Sequence, residues 1–534
     1  MQFPEAAGAV IDQALQFIYS FGPLAEKTVI LGMYGSVSER FAPNESCYVL
    51  RKIIIMLSLR TVLLFAVPDV LKSKIGDVAA MVGMDVETVS YVLGMFLCYP
   101  LGAIMVTIPY GTLRHIFSFL LGAFLLQFTL GNQWIHQLIS SVVAYAMILV
   151  LPRKTLKLAL PVFAMAYMCA GHLHRQYINY LGWDLDFTGC QMVLTQKLYM
   201  IGFNLYDGEQ LAKGKGDRAA EKCAKYALKD APGILEFLGY TFCFSNILAG
   251  PATEYATYLG AIEGTVFRTP DGKMQKPPSN LLPTLWPFVQ SLICMGCFLV
   301  IGGTFPMLDP TDPQHNTPAV ISDKMLANPW PVRILYCWCA LLGVRMKYYF
   351  GWKNAQGACN IWYSGFEGFD EKGEPKGWSI SDNIDILGFE LPPDLQTMTR
   401  KWNKKTSDWL NRYVYIRTGG NLVAVYSTSA FWHGFYPGYY LFFLSIPLIT
   451  FCDRLAKKKI SPMFGKSRFS VYGIVASIMT ILATNYMVMP FVLLAGSWGF
   501  NGWKSHYFVG HIAGAIMYGV LSSMPTPKSK EKTA

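Results

Sequence analysis

Charge is scarce in this chain. Of its 534 residues only 15% are Asp, Glu, Lys or Arg, with 34 acidic against 45 basic. Intrinsically disordered chains carry far more charge and much less apolar surface, so that class is excluded. The 12 cysteines follow no zinc-ligand spacing and form no disulfide framework. Several lie inside apolar runs such as CMGC and CWC, as small core residues do. His172 and His174 form an HLH pair, but no carboxylate or cysteine set stands at ligand spacing beside them, so no metal is expected. The N-terminal MQFPEAAGAVIDQALQFIYSFG lacks the basic start and cleavage pattern of a secretory signal, and reads as an interfacial or partly inserted helix. Long polar blocks are missing too, which leaves little room for separate soluble domains.

Apolar and aromatic residues fill the space that charge leaves. The chain is 53% hydrophobic, with 34 Phe, 30 Tyr and 13 Trp and a mean hydropathy of +0.31. Apolar stretches near the ~20 residues needed to cross a bilayer recur throughout. The expected fold is all-α, a polytopic integral membrane protein of about 11 transmembrane helices. The spans are expected at 53 to 70, 90 to 109, 113 to 130, 136 to 151, 155 to 170, 233 to 250, 286 to 306, 331 to 349, 421 to 450, 470 to 494 and 505 to 523. A single membrane domain would occupy residues 1 to 523, with a cytosolic tail at 524 to 534. Prolines at 68, 100, 109, 161, 251 and 437 mark kinks or breaks, which a membrane tolerates only where protein or a wet cavity satisfies the freed backbone.

Basic segments at 72 to 74, 213 to 229, 399 to 405 and 453 to 468 belong on the cytosolic side, and the acidic, proline-broken stretch at 308 to 323 on the lumenal side. Both flanks of 418 to 452 are then basic. A single span cannot begin and end on one side, so a hairpin or re-entrant break is expected near Gly434, Pro437 and Gly438. That places His433, in the run SAFWHGFYPGYY, at membrane depth beside interrupted helix. A buried imidazole there has either found structural partners or handles protons.

The segment WNKKTSDWLNRYVYIR at 402 to 417 holds Lys404, Lys405, Arg412 and Arg417, preceded by Arg400 and Lys401 and opposed only by Asp408. Such a cluster is either the positive flank of a span or a site for a phosphate-bearing ligand. Asn403 is either a helix cap or part of that site.

The order WN at 402, WLNRYVY at 409 and STSAFWHGFYPGYY at 427 resembles the membrane-bound O-acyltransferase family. DFTGCQMVLTQKLYMIGFNLYDG at 186 and PGILEFLGYTFCFSNILAGPATEY at 232 resemble the upstream signatures of its lysophospholipid acyltransferase branch, as WKSHYFVGH at 503 resembles its last stretch. The resemblance implies His433 and Asn403 as the catalytic pair, with acyl transfer from acyl-CoA to the free hydroxyl of a lysophospholipid. The histidine would act as general base, with no acyl-enzyme and no cofactor beyond acyl-CoA as co-substrate. Lys401, Lys404, Lys405, Arg412 and Arg417 would hold the CoA phosphates. Gln191, Asn246, Glu254, Tyr255, Phe431, Trp432, Phe435 and Tyr436 would line an internal substrate chamber, although buried polar and aromatic residues also serve helix packing.

Partners implied are acyl-CoA, lysophospholipid and membrane lipids; no nucleic acid is expected. A sterol, a diacylglycerol or a protein terminus would be the acceptor elsewhere in the superfamily, and a lipid transporter or scramblase would also use polar residues at membrane depth. Lys530 and Lys532, near the end of KSKEKTA, resemble the dilysine signal of endoplasmic reticulum membrane proteins whose C-terminus is cytosolic. Asn44 begins an NES glycosylation sequon.

Overall fold

A computed structural model describes residues 69–182, 184–308, 318–464 and 470–526, which belong to one compact unit, Val67–Ala534. The expected N-terminal helix, the Asn44 sequon, most of the span expected at 53 to 70, and Lys530 and Lys532 lie outside the described residues. Every regular element among the described residues is a helix, and pairing of the β type is limited to three isolated bridges in loops.

Helix α1 (Asp69–Val82) covers the basic 72 to 74 stretch, where no span is expected, and the next helices follow the apolar pattern: α2 (Val86–Thr107), α3 (Thr112–Leu130), α4 (Ile135–Val150) and α5 (Arg153–Ile178). Next comes α6 (Phe187–Ala212), which the sequence does not mark as a span because polar residues interrupt it. Its Thr188, Gln191, Thr195, Gln196, Lys197, Asn204 and Asp207 are all buried. Neighbours satisfy them: Lys197 Nζ donates to Tyr240 O (2.9 Å) and Asn246 Oδ1 (2.8 Å), and Asn204 donates to Glu254 (2.9 Å). A helix polar at so many positions is stable at depth only when other helices surround it.

The span expected at 233 to 250 does not form. Helix α7 (Ile234–Thr241) is eight residues long, and buried non-helical backbone follows it. Side chains from other helices take carbonyls that a continuing helix would have bonded. Tyr91 Oη donates to Leu248 O (2.6 Å), and the Cys98 thiol lies 3.4 Å from Phe244 O. This is the condition under which a membrane protein tolerates irregular backbone at depth.

After α8 (Tyr255–Ile262), the long helices α9 (Leu281–Thr304) and α10 (Trp330–Asn360) pack along each other. Short helices α11 (Leu395–Lys401) and α12 (Lys404–Leu410), with a π-helical turn Asn411–Tyr415, lead to α13 (Leu422–His433), α14 (Pro437–Lys459), α15 (Val471–Leu493), α16 (Gly496–Ser505) and α17 (Val509–Ser523). The apolar segment at 421 to 450 is therefore two helices. The break falls at Gly434, whose φ of +115° suits glycine alone, and Pro437 opens α14 where its missing N–H costs nothing.

Six stretches among the described residues are long and apolar enough to cross a membrane: Val86–Thr107, Thr112–Val150, Arg153–Ile178, Leu281–Thr304, Pro437–Lys459 and Val471–Leu493. The expected spans at 113 to 130 and 136 to 151 fall within one of them. The span expected at 331 to 349 is helical within α10, where Arg333, Arg345 and Lys347 interrupt the apolar run. The last expected span, 505 to 523, is met by the 15-residue α17, an apolar helix shorter than a full crossing.

Candidate active site

His433 is the last residue of α13, and its ring stands in an aromatic cage. Ring centroids lie 4.8 Å from Trp432, 4.9 Å from Phe491, 5.8 Å from Tyr439 and 5.9 Å from Phe443. The described residues give the His433 ring no hydrogen-bond partner. The residue is half-buried. Tyr348, on α10, is 41% exposed.

Asn403 opens α12 in the left-handed conformation, φ +42°. It occupies the cap position, but its side chain makes no cap bond. Asn383 does that work from a loop 20 residues upstream: its carbonyl accepts from Lys404 N (2.9 Å) and its Oδ1 from Lys405 N (3.0 Å). Asn383 Nδ2 then donates to Asn403 Oδ1 at 3.0 Å, which fixes the Asn403 amide. The adjoining Trp402 packs against Trp352, Phe389, Tyr348 and Tyr349 at 4.9 to 6.1 Å.

Helix α6 joins these two parts. Trp432, next to His433, donates its indole N–H to Met192 O at 3.0 Å. Gln196 Nε2 donates to Thr406 Oγ1, one turn into α12, at 2.9 Å. Met192 and Gln196 are four residues apart, hence neighbours on one helix face. Trp409 of α12 also meets Trp432, centroids 6.2 Å apart. The histidine and the asparagine are thus hung from adjacent turns of the most buried helix.

The comparisons now bear on this arrangement. A family model described as the membrane-bound O-acyltransferase family matches residues 138–493. The chain belongs to the membrane-bound O-acyltransferase family. It is 31% identical over 434 residues to a chicken protein named membrane-bound glycerophospholipid O-acyltransferase 2, covering 79% of this chain and 81% of that one. It is 29% identical to lysophospholipid acyltransferase 6 of Drosophila melanogaster (83% of this chain, 62% of that one), and 28% identical to lysophospholipid acyltransferase 1 of Arabidopsis thaliana (85% and 99%).

In this acyltransferase the basic loop is less free than its sequence suggests. Lys401 pairs with Asp385 at 2.7 Å, and Lys404 with Asp382, which Lys353 also reaches at 3.1 Å. Lys405 lies 3.9 Å from Asp408. Burial alone would raise the Asp382 carboxyl, but Lys353 and Lys404 outweigh it and hold the group below the usual carboxylate range. Burial pushes the Lys405 ammonium down, with Asp408 opposing.

Arg412 bonds Glu254 (3.1 Å) and Asp408 (3.3 Å), and Arg417 grips the buried Asp207 with both guanidinium nitrogens. These two arginines are anchored between the loop and the bundle. Glu254 also accepts from Asn204 and Tyr413; burial nevertheless pushes its carboxyl up.

Of the expected chamber residues, Gln191, Asn246, Glu254 and Tyr255 are buried and bonded to Ser140, Lys197, Asn204 and Glu236 respectively. They tie helices together. Trp432 is buried beside His433, and Tyr436 accepts the Leu181 N–H at 3.0 Å. Phe431 is 45% exposed and meets Phe435 with centroids 6.0 Å apart. Sequence reasoning missed Asn383, Tyr348 and Phe491, which long-range folding brings to the site; Tyr439 stands in the run SAFWHGFYPGYY itself, six residues after His433.

Proposed function

We propose that this acyltransferase moves an acyl chain from acyl-CoA to the free hydroxyl of a lysophospholipid, in the endoplasmic reticulum membrane with the C-terminus cytosolic. The observation that carries the reading is the His433 imidazole, without a protein hydrogen bond among the described residues, standing in an aromatic cage at a helix break. The names of the relatives supply the acceptor class.

His433 takes the acceptor's hydroxyl proton as that oxygen attacks the thioester carbonyl. The C–O bond forms, the C–S bond breaks, and the departing CoA sulfur recovers the proton from the imidazolium. Asn403, held through its Oδ1, keeps its amide N–H groups for the substrate. A donor aimed at the developing oxyanion contributes ~2.7–4 kcal/mol in comparable sites. Acyl-CoA approaches from the basic loop, where Lys401, Lys404 and Lys405 meet its phosphates. Arg412 and Arg417 support this loop from behind and add to its positive field. Neither a metal nor a further cofactor takes part in this scheme.

The test is purified protein in detergent with acyl-CoA and a lysophospholipid. Stoichiometric appearance of free CoA thiol and diacyl phospholipid is expected. Intact acyl-CoA would sink the reading and favour a transporter or scramblase. CoA release only with a sterol, a diacylglycerol or a protein acceptor would move the substrate elsewhere in the superfamily.

A further inference from the structure

The aromatic cage explains what surrounds the His433 ring, but not what holds its backbone at the end of a broken helix. The last four carbonyls of any helix lack an intrahelical partner, and at depth there is no bulk water to satisfy them. In α13 the Ala430 carbonyl accepts from Gly434 N at 3.1 Å. The next two are met by one neighbouring helix. Cys169 on α5 directs its thiol at Phe431 O (3.8 Å), and His172 places Nε2 3.2 Å from Trp432 O. Cys169 and His172 are three residues apart and so share a face of α5.

A carbonyl oxygen only accepts, so His172 Nε2 carries the proton and donates it. The fit is close. A Cβ added at Gly434 would lie 3.2 Å from the His172 ring, so the break passes directly over the imidazole. The His172 and His433 rings are within electrostatic reach of each other.

We propose that His172 is a positioning residue for the transfer reaction. By capping Trp432 O it fixes the peptide that leads into His433 and so aims the base. This rests on the acyl-transfer reading above. It goes further in giving the neighbouring helix a role in the chemistry through one N–H group. Sub-ångström placement matters because a ~1 Å error in a catalytic group costs on the order of 100-fold in rate.

The experiment compares His172→Gln, His172→Met and His172→Phe in purified full-length protein, by steady-state transfer and thermal unfolding. Gln and Met are close in size and differ in the amide donor, while Phe keeps the ring without the N–H. The expected result is a ~10-fold to 100-fold fall in kcat for Met and Phe. The KM for acyl-CoA should stay near wild type, the unfolding temperature of Met and Phe should fall only as one lost buried hydrogen bond requires, and His172→Gln should recover most of the rate. Equal losses in all three variants, or wild-type rates in Met and Phe, would overturn the proposal. So would a failure of Met and Phe to fold while Gln is normal, which would make the contact structural only. A wild-type preparation that releases no CoA would instead refute the acyl-transfer reading, and is seen before any variant is compared.

Discussion

Arg417 closes on Asp207 across 210 residues of chain, with Nη1 2.8 Å from Oδ1 and Nη2 on Oδ2. The carboxylate is buried inside α6, and the guanidinium also lies over the Phe203 ring at 4.9 Å. Arg417→Ala would leave Asp207 charged and unpaired, at a cost of ~3–5 kcal/mol. We expect less folded protein and a lower unfolding temperature in detergent, with an unchanged KM for acyl-CoA in the fraction that survives. A selective rise in that KM at normal stability would make Arg417 a substrate ligand.

Lys404 and Lys405 should behave in the opposite way. Replacing both with alanine should raise the KM for acyl-CoA and flatten its dependence on salt, while the KM for lysophospholipid stays put. Lys353 still pairs with Asp382 in that variant, so the loop keeps an anchor. Equal effects on both substrates would reassign the two lysines to loop structure.

His433→Ala should remain folded and bind acyl-CoA, but transfer ~100-fold to 10,000-fold more slowly. His433→Gln keeps hydrogen-bonding capacity without basicity, so it should be equally slow. Asn403→Ala should damage the same step, and the double variant should cost less than the sum of the singles. Single-turnover transfer from labelled acyl-CoA, alongside binding of a non-transferable analogue, decides the point. Near-normal turnover in His433→Gln would leave this histidine a packing residue.

Acid should loosen the loop that carries Asn403. The Asp382 and Asp385 carboxyls are held below their ordinary 3.8, for although burial raises both, Lys353 and Lys404 act on the first and Lys401 on the second. A depressed folded value means their stabilisation is present above the ordinary carboxylate value and fades as pH falls through the folded one. Unfolding temperature should therefore drop as pH goes below ~3.8. Asp382→Asn should be less stable at neutral pH and show a shallower acid slope. An identical slope in the variant would place the acid-sensitive groups elsewhere.

What the sequence disclosed depended on how local the cause was. The break at Gly434 was legible because glycine, proline and conflicting basic flanks all lie within 418 to 452. The apolar helices α2 to α5 were legible from hydropathy alone. Helix α6 was hidden, because its polar residues look unfit for a membrane until their partners on α12, α7 and the π-helical turn are known. The basic loop read as six cations facing one carboxylate; the carboxylates that neutralise much of it, Asp382, Asp385, Glu254 and Asp207, are distant in sequence. Asn383 gave no signal, since its role depends on a loop closing over Asn403.

The composition of α6 also constrains how the protein is made. A helix bearing Lys197 and Asp207 enters lipid poorly by itself, since each such residue at mid-membrane opposes insertion by about 2.5–3.5 kcal/mol. Its countercharge, Arg417, is synthesised 210 residues later. During translation α6 must therefore stay in a wet or protein-lined environment, or sit shallowly, until the segment that neutralises it emerges. The scaffold for His433 and Asn403 is consequently completed only when the ribosome has passed the basic loop, and a nascent chain stopped before it would hold α2 to α5 in lipid with α6 still waiting for a partner.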